Sequence, residues 1–311
     1  MPVQSVLFHR SYDRYSGGHQ KVRDYFEHFR SHPGYSPRIF FSGGVGTDGL
    51  WTGLSGHIAP AYEPRRADIN FLAGIDWQHY LQRPASRSTP VINLIQHVRH
   101  ADPASDVFPF LAEKAIRVCV SPEVEAAISQ TRVVNGPVYT IPNGINLAQL
   151  ENYAELEKAS DIYILGNKQP LLATSLSEQL RDIGLSVIVH AEHTSRHLVL
   201  SSMAASDVVV LLPHETEGFY LPALEAMALS DMVVVPDCVG NRSFCKDGEN
   251  CLMPALEREA LLASTQQALS LVESGAALSF GQKGQETLAC HSLERERLAF
   301  YDILDNLEQI W

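Results

Sequence analysis

Two carboxylates bracket a run that could hold a phosphorylated sugar, Glu217-Gly218-Phe219-Tyr220-Leu221-Pro222-Ala223-Leu224-Glu225. Gly218 lets the backbone approach a ligand closely. The amides at Phe219, Tyr220 and Leu221 then open a helix whose positive dipole end receives phosphate. Glu225, read as lying in the first helical turn, could accept hydrogen bonds from ribose hydroxyls. Glu217, in the loop, could accept them from sugar hydroxyls or stabilise positive charge at an anomeric carbon. A nucleoside diphosphate sugar offers all of these groups together.

The elements that must position these residues can be read from the same stretch. Asp207-Val208-Val209-Val210-Leu211-Leu212 is β-branched, apolar on both faces and stopped by Pro213, the pattern of a buried parallel strand. Pro222 suits a first helical turn, and Leu221, Leu224, Met227 and Ala228 share one helical face. Strand, loop and helix recur along the whole chain. Ser5 to His9 is a first strand, and a loop with Gly17 and Gly18 leads into a helix carrying Val22, Tyr25, Phe26 and Phe29 on one face, a geometry in which backbone can meet phosphate. Strands are expected at 38–41, 68–73, 91–95, 118–121, 138–141, 161–165, 187–189 and 232–235, and a charged helical piece over 147–158 joins the two halves. Between residues 42 and 64 lies a glycine-rich, irregular stretch that reads as a mobile acceptor loop. His97 follows directly on the strand Val91-Ile92-Asn93-Leu94-Ile95, where ligands of open α/β sheets bind, and is placed to contact a sugar or a leaving phosphate.

The run from Glu217 to Glu225 resembles the E-x7-E signature of the retaining family-4 glycosyltransferases (glycosyl transferases group 1). Ile141-Pro142-Asn143-Gly144-Ile145-Asn146 resembles the turn that closes their first domain, and Asp247-Gly248-Glu249-Asn250-Cys251-Leu252 matches their D-G-x-N-G-x-L except at Cys251. The resemblance implies the GT-B fold: two Rossmann-like doubly wound α/β domains facing a cleft. These would be an acceptor-side domain at 1–155, a nucleotide-sugar-binding domain at 156–290, and a terminal helix at 291–311 packing back on the first. It further implies transfer of a sugar from a nucleotide diphosphate donor to a hydroxyl of a glycan or other glycoconjugate, with retention and without a metal or other cofactor. Glu217, His97 and Lys168 are the implied catalytic residues; Gly17, Gly18, Gly218, Phe219, Tyr220, Leu221, Glu225 and Arg242 are the implied donor-binding ones. The family places an Arg after the glycine that Gly166 matches. This chain has Asn167 there, so phosphate binding would lean on Lys168 and Arg242. Asn241 and Phe244 depart from the family's next turn. Two other readings fit the same residues: a nucleotide-sugar-binding subunit with weak catalysis, and a GT-B nucleotide-sugar epimerase.

Composition bounds these readings. The 311 residues are 45% hydrophobic and 19% charged, enough for two α/β domains, and no apolar run reaches a membrane span. The formal charge of −12 argues against a nucleic-acid partner. It is carried by the second half, since residues 1–155 hold 14 Lys/Arg and 14 Asp/Glu. A neutral first half beside an acidic second half suits peripheral contact of the first half with an anionic inner membrane surface, or merely two differently solvated surfaces. Five cysteines without C-x-x-C spacing indicate reduced thiols and a cytoplasmic protein. Neither Cys238, Cys245 and Cys251 nor His190, His193 and His197 has the ligand spacing of a zinc site.

Overall fold

The apolar, β-branched runs form parallel strands, each carried to the next by a helix or a loop. The computed structural model describes residues 2–153 and 155–311. Met1, at the head of the stretch Met1 to His9 that reads as running into the first strand, and Ala154, within the helical piece at 147–158, lie outside the described residues. The chain divides into two compact units, Met1–Asn143 with Glu294–Trp311, and Gly144–Leu293. Residues 144–155, read from the sequence as the end of the first domain, thus fall in the second unit.

The first unit holds β1 (Gln4–Arg10), α1 (Gly17–Ser31), β2 (Tyr35–Phe41), β3 (Ile69–Ala73), α2 (Asp76–Gln82), β4 (Val91–Ile95), β5 (Ile116–Cys119), α3 (Pro122–Gln130) and β6 (Val138–Thr140). Its sheet runs β2-β1-β3-β4-β5-β6 and every pairing is parallel. The chain leaves β1 toward β2 on one side and returns to β3 on the other, which creates a topological switch point at the carboxyl ends of β1 and β3. Phe8 of β1 stacks on Phe71 of β3 at 4.4 Å and meets Phe26 of α1 edge-on at 5.2 Å. The stretch after β2, expected to be mobile, is tied down. Trp51 and Leu54 are buried, Ala59 donates to the carbonyl of Ile39 (2.8 Å), and the Arg23 guanidinium lies over the Trp51 ring (5.8 Å).

The second unit holds α4 (Leu147–Glu151), β7 (Ser160–Leu165), α5 (Pro170–Asp182), β8 (Val187–His190), α6 (Arg196–Ala204), β9 (Ser206–Leu211), α7 (Leu221–Leu229), β10 (Met232–Val234), α8 (Arg258–Glu273) and α9 (Ala277–Cys290). The sheet order β10-β9-β7-β8 repeats the reversal, so its switch point lies at the carboxyl ends of β7 and β9. Ile162, Ile164, Val208, Val210 and Leu212 form the core with Leu176 and Leu180 of α5 and Leu261 of α8. The helix expected over 147–158 ends at Glu151. Beyond it the charged segment has no apolar face to bury, and Leu156 is exposed.

The terminal segment, read as one helix, is two: α10 (Leu293–Asp305) and α11 (Leu307–Ile310), broken at Asn306. Phe300 of α10 is fully buried in the first unit, edge-on to Tyr25 at 4.8 Å and Phe29 at 5.1 Å. Beside it Glu296 takes Lys21 Nζ at 2.6 Å and His28 Nε2 at 2.9 Å, and Lys21 also meets Asp24 at 2.8 Å. Trp311 donates from its indole to Ser88 O, with Lys114 Nζ 3.8 Å over its ring. No helix among the described residues is long and apolar enough to cross a membrane.

Candidate functional site

In the second unit the switch point brings two of the sequence-predicted residues together. Directly after β7, a Cβ on Gly166 would stand 2.0 Å from Ala173 Cβ, so only glycine lets α5 pack this closely behind the turn. Lys168 projects from that turn, and its Nζ lies 3.5 Å from Glu217 Oε1 in the loop after β9. Lys168 is half exposed, so the pair is worth about 0–1 kcal/mol and opens at little cost. A cation and a carboxylate thus meet where an open α/β sheet binds its ligand.

The loop that carries Glu217 is held from the other side by the turn after β10. Tyr220 N–H donates to Gly240 O at 2.8 Å and Val239 N–H to Glu215 O at 2.9 Å. A Cβ on Gly240 would come within 2.8 Å of Phe219 N and 2.9 Å of Glu217 O. The departures in this turn are structural. Asn241 closes it by accepting from Cys238 N–H and donating to Pro236 O, and Phe244 stacks on Phe219 at 5.0 Å. Asn250 likewise closes the following turn, with Lys246 N–H and Phe244 O as partners. Burial pushes the Cys238 thiol up to about 12, so it packs as a neutral side chain.

Three expectations need correction. The amides of Tyr220 and Leu221 are not open to phosphate, because they already donate to Gly240 O and Phe219 O. Glu225 is not in the first turn of α7. The helix starts at Leu221, which puts Glu225 fifth and on the buried side, 3% exposed and paired with Arg196 Nη1. Arg242 is not an uncompensated phosphate cation, since it grips Asp237 through Nε (2.9 Å) and Nη2 (2.6 Å). Tyr163 and Tyr220 lie within electrostatic reach of the glutamates. Burial, and then Glu217 for Tyr220 and Glu225 for Tyr163, push both phenols up, so both remain hydroxyls. Arg196, at the start of α6, is a member the sequence reading missed, because nothing in its local pattern sets it apart from a surface arginine.

In the first unit Gly17 and Gly18 are the first two residues of α1 rather than loop residues, with Ser16 as the cap that accepts from His19 N–H. Gln96 Nε2 donates to Gly18 O, tying the end of β4 to that helix start. His97 Nδ1 accepts from Arg99 N–H at 3.0 Å, so in the neutral ring Nε2 carries the proton and is the atom that donates to an oxygen. His100 is different: burial lowers it to about 4, and its Nδ1 donates to His97 O. Sequence reading also missed the group at the end of β1, where His9 and Arg10 converge on Asp76 of α2 and His19 meets Arg10.

Residues 142–270 match the model of the family described as glycosyl transferases group 1. No curated protein sequence matches the chain. Among solved structures, a sucrose-phosphate synthase of Thermosynechococcus elongatus is 17% identical, with a TM-score of 0.68 over 98% of this chain and 99% of its own. HepE of Anabaena, in complex with UDP and glucose, is 13% identical, with a TM-score of 0.69 over 97% and 100%. A glycosyltransferase of Rickettsia africae is 13% identical, with a TM-score of 0.68 over 97% of both chains. Residues 142–270 thus resemble a group 1 glycosyltransferase domain, in a chain whose two Rossmann-like units have the fold of the GT-B glycosyltransferases.

Proposed function

We propose that the chain is a retaining glycosyltransferase moving a sugar from a nucleotide diphosphate donor to a hydroxyl of a glycan or glycoconjugate. The observation that carries this reading is the pairing of Lys168 with Glu217 at the β7/β9 switch point. Lys168 turns from Glu217 to the donor diphosphate and supplies the cation that leaving-group departure requires, without a metal. Glu217 then faces the positive charge that grows on the sugar ring. Glu225, held by Arg196, accepts from the ribose hydroxyls. His97 donates from Nε2 to a sugar or phosphate oxygen, and Gly17 and Gly18 leave the start of α1 open to phosphate. No side chain is assigned as nucleophile; the departing phosphate takes the acceptor proton on the same face.

HepE has been solved with UDP, with UDP and glucose and with UDP-glucose, which makes a uridine diphosphate sugar the first donor to test. The unpaired cysteines support a cytoplasmic location, with the charge-balanced first half meeting an anionic membrane surface or acceptor. A second reading, a donor-binding subunit with weak catalysis, is favoured by Asn167 and by the Arg242–Asp237 pair, which leave Lys168 to hold the diphosphate. Incubation with UDP-glucose and an acceptor panel, with and without EDTA, separates them. EDTA-insensitive transfer supports the enzyme, while binding of UDP without transfer or hydrolysis supports the second reading. Retention would be read from the anomeric coupling of the product.

A further inference from the structure

The carboxyl end of β1 carries a side-chain group that none of the roles above uses. His9 is 1% exposed, and its Nδ1 lies 3.0 Å from Asp76 Oδ1. The other carboxylate oxygen, Asp76 Oδ2, accepts from Arg10 Nη1 at 2.8 Å and from Ala73 N–H at 3.0 Å. With its acceptor capacity turned to these donors, Asp76 fixes the proton of His9 on Nδ1. Arg10 is held in turn by His19, whose Nδ1 lies 3.0 Å from Nη2. Burial first, and then Arg10, lower His19 to about 4, so His19 accepts from the guanidinium as a neutral ring.

This network leaves one atom over. In the neutral ring His9 Nε2 is a hydrogen-bond acceptor, and among the described residues it is buried without a partner. Such an atom costs about 1–3 kcal/mol unless something donates to it. Around the His9 ring stand three half-buried aromatic side chains: His79 stacked at 4.3 Å, Tyr62 edge-on at 4.8 Å and Phe40 at 6.0 Å. The Tyr62 hydroxyl is likewise buried without a partner. The location is the β1/β3 switch point, the place in an open α/β sheet where ligands bind.

We infer that His9 and Tyr62 form a hydroxyl-binding site for a neutral saccharide in the first unit, with Asp76 and Arg10 as positioning residues. A sugar hydroxyl donates to His9 Nε2 and another bonds to the Tyr62 phenol. The C–H face of the pyranose lies on the half-exposed rings of His79, Tyr62 and Phe40. An aromatic wall with a neutral acceptor at its base selects a polyhydroxylated, uncharged ligand over an anion. The inference rests on reading the chain as a transferase with a sugar acceptor, and names the residues that take that acceptor.

The test uses the full chain with methyl α-glucoside and methyl α-mannoside as saccharide probes and UDP as the donor probe. His9→Asn retains a donor toward Asp76 and removes Nε2; Tyr62→Phe removes one oxygen and keeps the ring. Each variant is expected to weaken binding of the responding glycoside by about tenfold while leaving UDP affinity unchanged. In long-range nitrogen–proton spectra His9 should show the Nδ1–H tautomer, and the glycoside should shift its Nε2 signal. The inference is overturned if neither glycoside perturbs His9, if both variants bind glycoside as the parent does, or if Nε2 proves to carry the proton. Glycoside binding at His9 without UDP binding would sustain the site and reject the nucleotide-sugar reading of the chain.

Discussion

Removing the Glu225 carboxylate takes away the counter-charge of Arg196 at a place where Glu225 itself is almost fully buried. Glu225→Ala is therefore expected to raise the donor dissociation constant about tenfold or more and to lower the melting temperature measurably. Glu217→Ala, at a half-open loop position, should slow transfer with little change in donor affinity or stability. Unchanged donor binding and turnover in both variants would remove the site from the β7/β9 switch point. Asn167→Arg, restoring the cation that the family places there, should tighten UDP binding by about tenfold, read by calorimetry. These residues were legible to different degrees. Glu217 and Lys168 could be placed because Pro213, Gly218, Pro222 and Gly166 punctuate the chain on either side of them. The pairing of Glu225 with Arg196 could not, because α6 meets α7 through tertiary packing that no local pattern records. The same holds for His9 and Asp76, 67 positions apart in the chain.

At the level of elements, the buried group formed by Lys21, Asp24, His28 and Glu296 joins α10 to α1. Burial alone would raise the Glu296 carboxyl, but Lys21 and His28 override it and hold the group below its ordinary value. Burial alone would lower Lys21, but Asp24 and Glu296 hold it above its ordinary value. An acid depressed in the folded state contributes stability above its unfolded pKa of about 4.3, and that contribution is lost as pH falls through the folded value. A raised lysine contributes fully below about 10.4 and loses its share as pH climbs through its folded value. Thermal unfolding followed from pH 3 to 7 should show the acid limb, and Glu296→Gln should flatten it. Lys21→Met, which strands buried carboxylates, should cost roughly 3–5 kcal/mol in denaturant melts. Gly240→Ala tests a different element. Its methyl would press on Phe219 N and Glu217 O, so turnover should drop further than donor affinity. An alanine variant with parental turnover would show that the turn after β10 does not hold the loop. Strands were the most readable elements, since their β-branched runs need only a sheet to enter. The helix expected to reach Lys158 failed because charge without an apolar face gives a helix nothing to pack on.

For the molecule as a whole, the last 18 residues belong to the unit that the first 143 residues build. A chain ending at Ser292 would expose the surface that Phe300, Ile303, Leu304 and Leu307 cover, and is expected to aggregate or to lose cooperative unfolding in calorimetry. Deleting Trp311 alone, which removes its bond to Ser88 and its contact with Lys114, should lower the melting temperature by only a few degrees. The two sheets and their switch points were readable from repeated strand–helix rhythm, whereas the membership of the closing helices was expected from family resemblance rather than from any pattern of their own. That membership also orders the chain's birth. On a ribosome, the segment from Gly144 to Leu293 has its whole core in hand as soon as it emerges, while the earlier-made sheet waits for its covering helices until residues 294–311 follow. Of the two units, the one begun first is thus completed last, and during that interval its α1 surface, with Phe29 and Lys21, is what a nascent-chain chaperone would meet.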